Sequence, residues 1–157
     1  MRLALYVTCL VDLMRPAVGF ASLRLLEAAG CEVVIPEGQT CCGQPAWSAG
    51  NRVLAASLAR KAIAELEAYD HVVVPSGSCT DQIRNIYPQL LADDAAWGAR
   101  ARALAERTWE LTSFLVDVRH FAAPPAVTRA LTERAAHSIY GRQLGRAEVC
   151  SEVRACD

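Results

Sequence analysis

Short apolar runs alternate with amphipathic helical segments through most of this chain, and this alternation is what most constrains its fold. The runs over 3–8, 31–36 and 71–75 are almost wholly apolar, as expected of strands that are covered on both faces. Strands that alternate with helices predict an α/β fold. We therefore expect a parallel, doubly wound (Rossmann-like) sheet with flanking helices.

Four helical segments are predicted from the spacing of their apolar side chains. The first stops at Gly30, and the second covers about 51–69. The third begins in a capping box formed by Ser78 and Asp81. The fourth is a single long helix over 97–118. The expected apolar stripes of the second, third and fourth helices are Leu54, Leu58, Ala62 and Leu66; Ile83, Ile86, Tyr87 and Leu90; and Leu104, Thr108, Leu111 and Leu115.

Cys41 and Cys42 are adjacent in the sequence. Neighbouring Cα atoms lie about 3.8 Å apart across a trans peptide, which is less than the roughly 4.4–6.8 Å between the Cα atoms of a disulfide. The two thiols are therefore not expected to bridge each other, and they suit a metal ion or an iron–sulfur cluster instead. Random placement of the chain's cysteines would give about 0.3 adjacent pairs, so the pair alone is weak evidence.

The remaining evidence lies in where the other cysteines stand. Cys9 follows the first predicted strand, the Cys41–Cys42 pair follows the second, and Cys79 follows the third. In a doubly wound sheet these loops meet at one edge, where ligands bind. Helix starts near the pair and near Cys79 favour thiolates, and the amide of Gly43 could hydrogen-bond to cluster sulfur. We predict that the four cysteines converge on one crevice.

Other cysteines and histidines have simpler explanations. Cys31 precedes the second strand, at the opposite edge of the sheet, and is expected to be a small buried apolar side chain. Cys150 and Cys156 stand in a polar C-terminal segment and are expected to be solvent-facing free thiols. His71 opens a strand and is expected to be structural, because no histidine has the spacing of a metal ligand.

Composition excludes several classes of function. The formal net charge is −1, with both signs interspersed, so we expect no nucleic-acid partner. Asp12 and Arg15 interrupt the N-terminal apolar run, and no later run reaches the length of a membrane span, so we expect a cytoplasmic protein without one. In a reducing compartment, seven cysteines favour metal or redox chemistry over disulfides. No G-x-G-x-x-G motif follows the first strand.

The stretches ALYVTC, TCCGQPAWSAGN, VVVPSGSC and ELTSFLVDV resemble the cysteine-rich CCG-domain iron–sulfur family. That family includes the CCG-containing component of heterodisulfide reductase and the iron–sulfur subunit of glycolate oxidase, and the resemblance covers the N-terminal half of such proteins. It implies an iron–sulfur cluster, of the 4Fe–4S type. The residues implied to bind it are Cys9, Cys41, Cys42 and Cys79, with Gly43 as the glycine of the motif.

Ser76 is a departure from the family pattern. It occupies the first position of a Cys-x-x-Cys sequence that ends in Cys79. A serine there can supply an oxygen or a hydrogen bond, but it cannot be counted as a thiolate. We therefore include Ser76 among the cofactor-contacting candidates and exclude it from the metal ligands.

The resemblance also implies a function. It implies an electron-transfer subunit, not catalytic alone, of a cytoplasmic complex that oxidises L-lactate or a related 2-hydroxy acid to the keto acid. The implied partners are a ferredoxin-like iron–sulfur protein and a further lactate-utilisation subunit. The alternative is a cluster-free domain for assembly or interaction, in which the cysteines are thiols that respond to redox conditions.

The resemblance divides the chain into a CCG-type cysteine-rich domain, 1–121, and a divergent C-terminal tail, 122–157. Family members carry a second cysteine-rich half with its own CCG motif. If that half covers part of this domain, an apolar surface would be left exposed in its absence. A homodimer is therefore expected.

Overall fold

A computed structural model of the protein describes residues 1–121. Four strands form one sheet in the order β2-β1-β3-β4, where β1 is Arg2–Leu5, β2 is Glu32–Val34, β3 is His71–Val74 and β4 is Thr108–Glu110. All neighbouring strands are parallel, so their carboxyl ends meet at one edge. The predicted α/β fold with a parallel sheet is confirmed.

Helices connect these strands. They are α1 (Cys9–Met14), α2 (Pro16–Ala28), α3 (Gln44–Ser48), α4 (Arg52–Leu66), α5 (Gly77–Asp81), α6 (Tyr87–Leu90), α7 (Gly98–Glu106) and α8 (Leu111–Ser113). Two π-helical segments, Gln82–Ile86 and Phe114–Val118, continue α5 and α8 without a break. Within residues 1–121, none of the helices combines the length and the apolar character needed to cross a membrane.

Helices cover both faces of the sheet. The face that carries Ala4 and Val72 packs against α4, α7 and the helical stretch 77–90 in one buried core. On the other face, the ring of Phe114 meets that of His71 edge to face, with 5.6 Å between the ring centroids. Arg119, which follows the π-helical segment Phe114–Val118, links this segment to the end of α2. Its guanidinium donates hydrogen bonds of 2.6 and 3.0 Å to the carbonyl of Ala29.

α4 packs through a stripe that only partly matches the prediction. Leu54 is 48% exposed and Leu58 is half-buried, so the first half of the expected stripe is wrong. The loop that carries Gly43 passes so close to α4 that a Cβ on this glycine would lie 3.3 Å from Leu58 Cβ. Small side chains allow this approach. The buried stripe consists of Ala55, Ala59, Ala62, Ile63 and Leu66.

The single long helix predicted over 97–118 is wrong. α7 ends at Glu106, β4 follows, and a new helical turn begins at Leu111. The free edge of β3 explains the break, because Val72 and Val74 pair with Thr108 and Glu110 in the parallel register. Backbone pairing with a neighbouring strand outweighs the helical periodicity of this segment.

The helical stretch 77–90 also begins differently from the prediction. Ser76, not Ser78, is the N-cap residue, and its side chain makes no capping hydrogen bond. The carboxylate of Asp81 accepts a 2.6 Å hydrogen bond from the side-chain amide of Asn85 instead. The expected capping box is therefore not formed.

A π-helical turn changes which side chains of this stretch are buried. Residues four apart drift by about 40° per step in an α-helix, but the wider π turn over Gln82–Ile86 takes up this drift. Ile86 and Leu90, predicted on the apolar face, are only partly buried. The fully buried stripe has a spacing of four, and it comprises Cys79, Ile83, Tyr87 and Leu91.

Candidate functional site

The four cysteines predicted to converge lie at the carboxyl edge of the sheet, each beside the start of a helix. Cys9 is the first residue of α1, which Thr8 caps with its hydroxyl oxygen. Cys41 and Cys42 end the loop that leads from β2 to α3. Cys79 lies in the first turn of α5, directly after β3. Helix N-termini present free N–H groups that favour a nearby negative charge. At Cys9 this effect is outweighed, because burial and then the neighbouring Cys41 thiol raise its pKa.

The topology of the sheet explains why these loops meet. After β1 the chain moves to β2 on one side, and it then crosses to β3 on the other side of β1. The carboxyl ends of β1 and β3 therefore flank the switch point at which ligands bind in open α/β sheets. Cys9 and Cys79 follow these two strands directly.

The sulfur atoms form two pairs. Cys9 Sγ lies 3.8 Å from Cys41 Sγ, and both residues are half-buried. Cys42 and Cys79 form a second, deeper pair, with 2% and 8% exposure. Among residues 1–121, no group of three or more histidine, cysteine, aspartate or glutamate side chains is arranged to hold a single metal ion. The sulfur donors are thus arranged as two pairs and not as a site for a single metal ion.

Hydrogen bonding separates the pKa values of the deeper pair. The neighbouring Cys42 thiol lowers the pKa of Cys79 to about 6, although burial opposes the shift. The same interaction and then burial raise the pKa of Cys42 far above its ordinary value. The nearby hydroxyls of Ser76 and Ser78 also lower the pKa of Cys79. Cys79 is the preferred thiolate of this pair.

Ser76 therefore has a definite place in the site. As the N-cap of α5 it stands three residues before Cys79, and its Oγ lies 3.4 Å from Oγ of Ser78. Two hydroxyls next to one sulfur stabilise negative charge on that sulfur. Ser76 supports a thiolate in this structure and does not replace one.

Two buried tyrosines, which the sequence did not single out as site residues, lie near the cysteines. Burial, and then the sulfurs of Cys42, Cys79, Cys41 and Cys9 in that order, raise the pKa of the Tyr6 hydroxyl. Tyr6 donates a hydrogen bond to the carbonyl of Thr40, and Tyr87 donates one of 2.8 Å to the carbonyl of Cys42. The sequence signal for Tyr6 was a phenol placed in an aliphatic run, whereas Tyr87 was predicted only as part of a helix face.

Gly43 closes the cysteine loop. It is the N-cap of α3 and has a φ of 83°, in the left-handed region. A Cβ at this position would also lie 3.4 Å from the carbonyl oxygen of Ala55. Glycine meets both the conformational and the steric requirement.

A cavity of about 480 Å³ adjoins the outer sulfur pair. Cys9 and Cys41 open onto it, with Asp12 and Glu37 among an otherwise mostly apolar lining. The buried hydroxyl of Thr40, also in the lining, has no hydrogen-bond partner. Four sulfur donors and an unpartnered hydroxyl that can donate to sulfur fit an iron–sulfur cluster.

Cys31 and His71 stand apart from this site. Cys31 is 7% exposed and precedes β2 at the opposite edge of the sheet, which confirms the prediction that it is buried. His71 packs against Phe114, as expected of a structural residue. Cys150 and Cys156 lie outside the described residues.

Comparisons with known proteins show which sequences this chain is similar to. The chain is 49% identical over 118 residues to lactate utilization protein A of Bacillus velezensis, which covers 75% of this chain and 49% of that protein. It is 48% identical over 118 residues to the protein of the same name from Bacillus subtilis, with the same coverage of both chains. The chain spans about half the length of the curated relatives it matches. No solved structure matches it significantly.

A family model described as the CCG cysteine-rich domain matches residues 3–84, which is just over half of the chain. The matched stretch runs from β1 through α5, so it contains all four cysteines of the site together with Gly43. On this match, the chain belongs to the CCG cysteine-rich domain family.

Proposed function

We propose that this chain binds an iron–sulfur cluster and transfers electrons in the oxidation of lactate or a related 2-hydroxy acid. The observation that carries the proposal is the meeting of four cysteines, from three loops, around the Tyr6 hydroxyl at the switch point of the sheet. Membership of the CCG family and the name of the similar lactate utilization proteins support it.

Cys9, Cys41, Cys42 and Cys79 are the proposed ligands, and a 4Fe–4S cluster is the proposed type. When bound, such a cluster supplies a redox centre whose potential depends on hydrogen bonds to sulfur and on burial. Ser76 contributes a hydroxyl that lowers the pKa of Cys79. The protein's own part is to keep four thiolates together and largely away from water.

The chemistry on the hydroxy acid is proposed to need partner subunits. Removal of an electron pair from a hydroxy acid requires a cofactor that can accept it. We propose a ferredoxin-like iron–sulfur protein and a further lactate-utilisation subunit as the partners, in a cytoplasmic complex. Leu10, Leu13 and Met14 of α1 are 70–77% exposed beside Cys9, which supports contact with a partner or with a second copy of this chain.

Anaerobic reconstitution tests the cluster directly. Iron and acid-labile sulfide per chain are measured together with the EPR spectrum of the reduced protein. Substitution of each proposed ligand by serine is expected to lower bound iron and visible absorbance sharply, whereas Cys31→Ala, which removes a buried thiol at the other edge, is expected to leave both unchanged. A wild-type protein that holds neither iron nor sulfide after reconstitution would refute the proposal.

A second candidate function is a cluster-free, redox-responsive thiol domain. The 3.8 Å contact between the half-buried sulfurs of Cys9 and Cys41 favours it, because two such thiols can be oxidised to a disulfide. This candidate predicts a colourless protein in which oxidised glutathione converts the two thiols to a disulfide detected by peptide mass spectrometry. Variants lacking either cysteine would then keep their partner contacts in the reduced state.

A further inference from the structure

The loop that carries Cys41 and Cys42 belongs to no strand and has few restraints of its own. Gln39 donates a 3.1 Å hydrogen bond to the carbonyl of Leu5, but its side-chain oxygen and the hydroxyl of Thr40 are buried without partners. The amide of Gly38 donates a 2.9 Å hydrogen bond to the carboxylate of Glu65. Closer to the thiols, two phenols from elsewhere in the fold bind the loop's carbonyls. We propose that Tyr6 and Tyr87 are positioning residues that lock this loop in the conformation that receives a cluster.

Tyr6 reaches the loop from the sheet. It directly follows β1, its amide donates a 2.9 Å hydrogen bond to the carbonyl of Val73, and its side chain is 1% exposed. Its hydroxyl donates to the carbonyl of Thr40, the residue before the cysteine pair. The peptide plane between Thr40 and Cys41 is therefore held relative to the sheet.

Tyr87 reaches the loop from the helical stretch 77–90. It begins α6 directly after the π-helical turn and is completely buried in the core. Its hydroxyl donates a 2.8 Å hydrogen bond to the carbonyl of Cys42, the residue that precedes Gly43. The two phenols thus hold the peptide planes on either side of the adjacent thiols.

The hydroxyl groups, and not only the rings, are needed for this role. Each phenol satisfies a backbone carbonyl at a place where water is scarce, and a buried acceptor left without a donor is costly. Burial and the neighbouring sulfurs raise the pKa of both phenols, so both remain protonated donors beside thiolates. Replacing either tyrosine by phenylalanine keeps the ring and removes the anchor.

The role of the two tyrosines toward a cluster rests on the proposed function. Their restraint of the cysteine loop can be tested in the cluster-free protein. Tyr6→Phe and Tyr87→Phe are compared with Tyr69→Phe, whose partly buried ring faces Arg2 at 5.6 Å instead of the sulfurs. Native-state alkylation of each cysteine is followed by peptide mass spectrometry. Both site variants are expected to raise the alkylation rate of Cys42 by about tenfold or more, because release of the loop exposes a residue that is otherwise buried.

Cys31 reports general loss of stability in the same samples, since it is also buried but far from the loop. Its alkylation rate is expected to stay at the wild-type value in all three variants, and Tyr69→Phe is expected to leave Cys42 unchanged. A Cys42 rate that stays at the wild-type value, or that rises only in parallel with Cys31, would overturn the proposal.

Spectroscopy of reconstituted protein gives a second readout. The site variants are expected to keep iron per chain and to shift the EPR signal and the reduction potential, because the ligand loop is less constrained. Unchanged spectra and potential would contradict the role toward the cluster. If wild-type protein takes up no iron, the proposed function fails, and the alkylation rates still decide whether the tyrosines lock the loop.

Discussion

Gly43 is the residue at which backbone conformation and close packing coincide. Its φ of 83° and that of Gly50, 77°, are both in the left-handed region. Only Gly43 has α4 against it, since nothing lies within 4 Å of a Cβ built on Gly50. Substitutions at Gly50 therefore measure the cost of the left-handed conformation alone, whereas substitutions at Gly43 add the cost of steric crowding.

Alanine substitutions measure this difference. Gly50→Ala is expected to lower the free energy of unfolding by about 1–2 kcal/mol, the cost of a left-handed non-glycine residue. Gly43→Ala is expected to cost more, because its Cβ must also push against Leu58 and the Ala55 carbonyl. Urea denaturation of the cluster-free variants checks the order. Equal decreases in the free energy of unfolding would mean that α4 shifts away from the new Cβ at position 43 without an energetic cost.

Ala59 represents a different kind of constraint, at the scale of the element. Ala55, Ala59 and Ala62 give α4 a flat surface that packs against the sheet and the cysteine loop. Each of these alanines is 0–4% exposed. The first part of the helix is therefore positioned by the absence of bulk, whereas Ile63 and Leu66 supply large apolar side chains toward its end. Protein interiors packed at this density tolerate added volume poorly.

Leucine substitutions on α4 test this packing. Ala59→Leu is expected to lower the free energy of unfolding by about 1–3 kcal/mol through overpacking. Ala64→Leu, the same change at an exposed position of the same helix, is expected to be close to neutral. Thermal and urea unfolding of both variants provide the measurement. A neutral Ala59→Leu would show that the α4 interface contains unused space.

At the scale of the whole molecule, the sheet, the helices on both of its faces and the cysteine site are all formed by residues 1–121. Arg119 and Phe114 belong to the last part of this unit, and both make contacts across it. A boundary after Phe121 keeps these contacts, whereas a boundary after Glu110 removes both of them. The division into a domain over 1–121 and a tail therefore remains a prediction that truncation can test.

Truncation after Phe121 is expected to leave a cooperatively unfolding protein with the same iron per chain after reconstitution as the full chain. Truncation after Glu110 removes the completely buried Phe114 and is expected to cost about 3–5 kcal/mol or more, enough to abolish cooperative unfolding. Circular dichroism melting and iron analysis compare the three lengths. Loss of cooperative unfolding in the variant that ends at Phe121 would mean that part of the domain lies in the tail.

Sequence patterns alone predict the strands β1 to β3, the parallel sheet, and the loops in which Cys9, Cys41, Cys42 and Cys79 stand. These features follow from local patterns: apolar runs, helical spacing, and the rule that parallel strands place their following loops at one edge. Cys31 was separated from the other cysteines by the same rule, since it precedes a strand instead of following one.

Four features could be recognised only in the tertiary structure. They are β4, the small-residue stripe of α4, the π-helical turn, and the two phenols at the cysteine loop. β4 exists because the edge of β3 offers backbone hydrogen bonds to a segment whose side chains are spaced for a helix. Tyr6 and Tyr87 meet the loop across 34 and 45 residues of sequence, respectively. Contacts of this kind depend on how elements pack in space, and a local pattern of side chains does not contain that information.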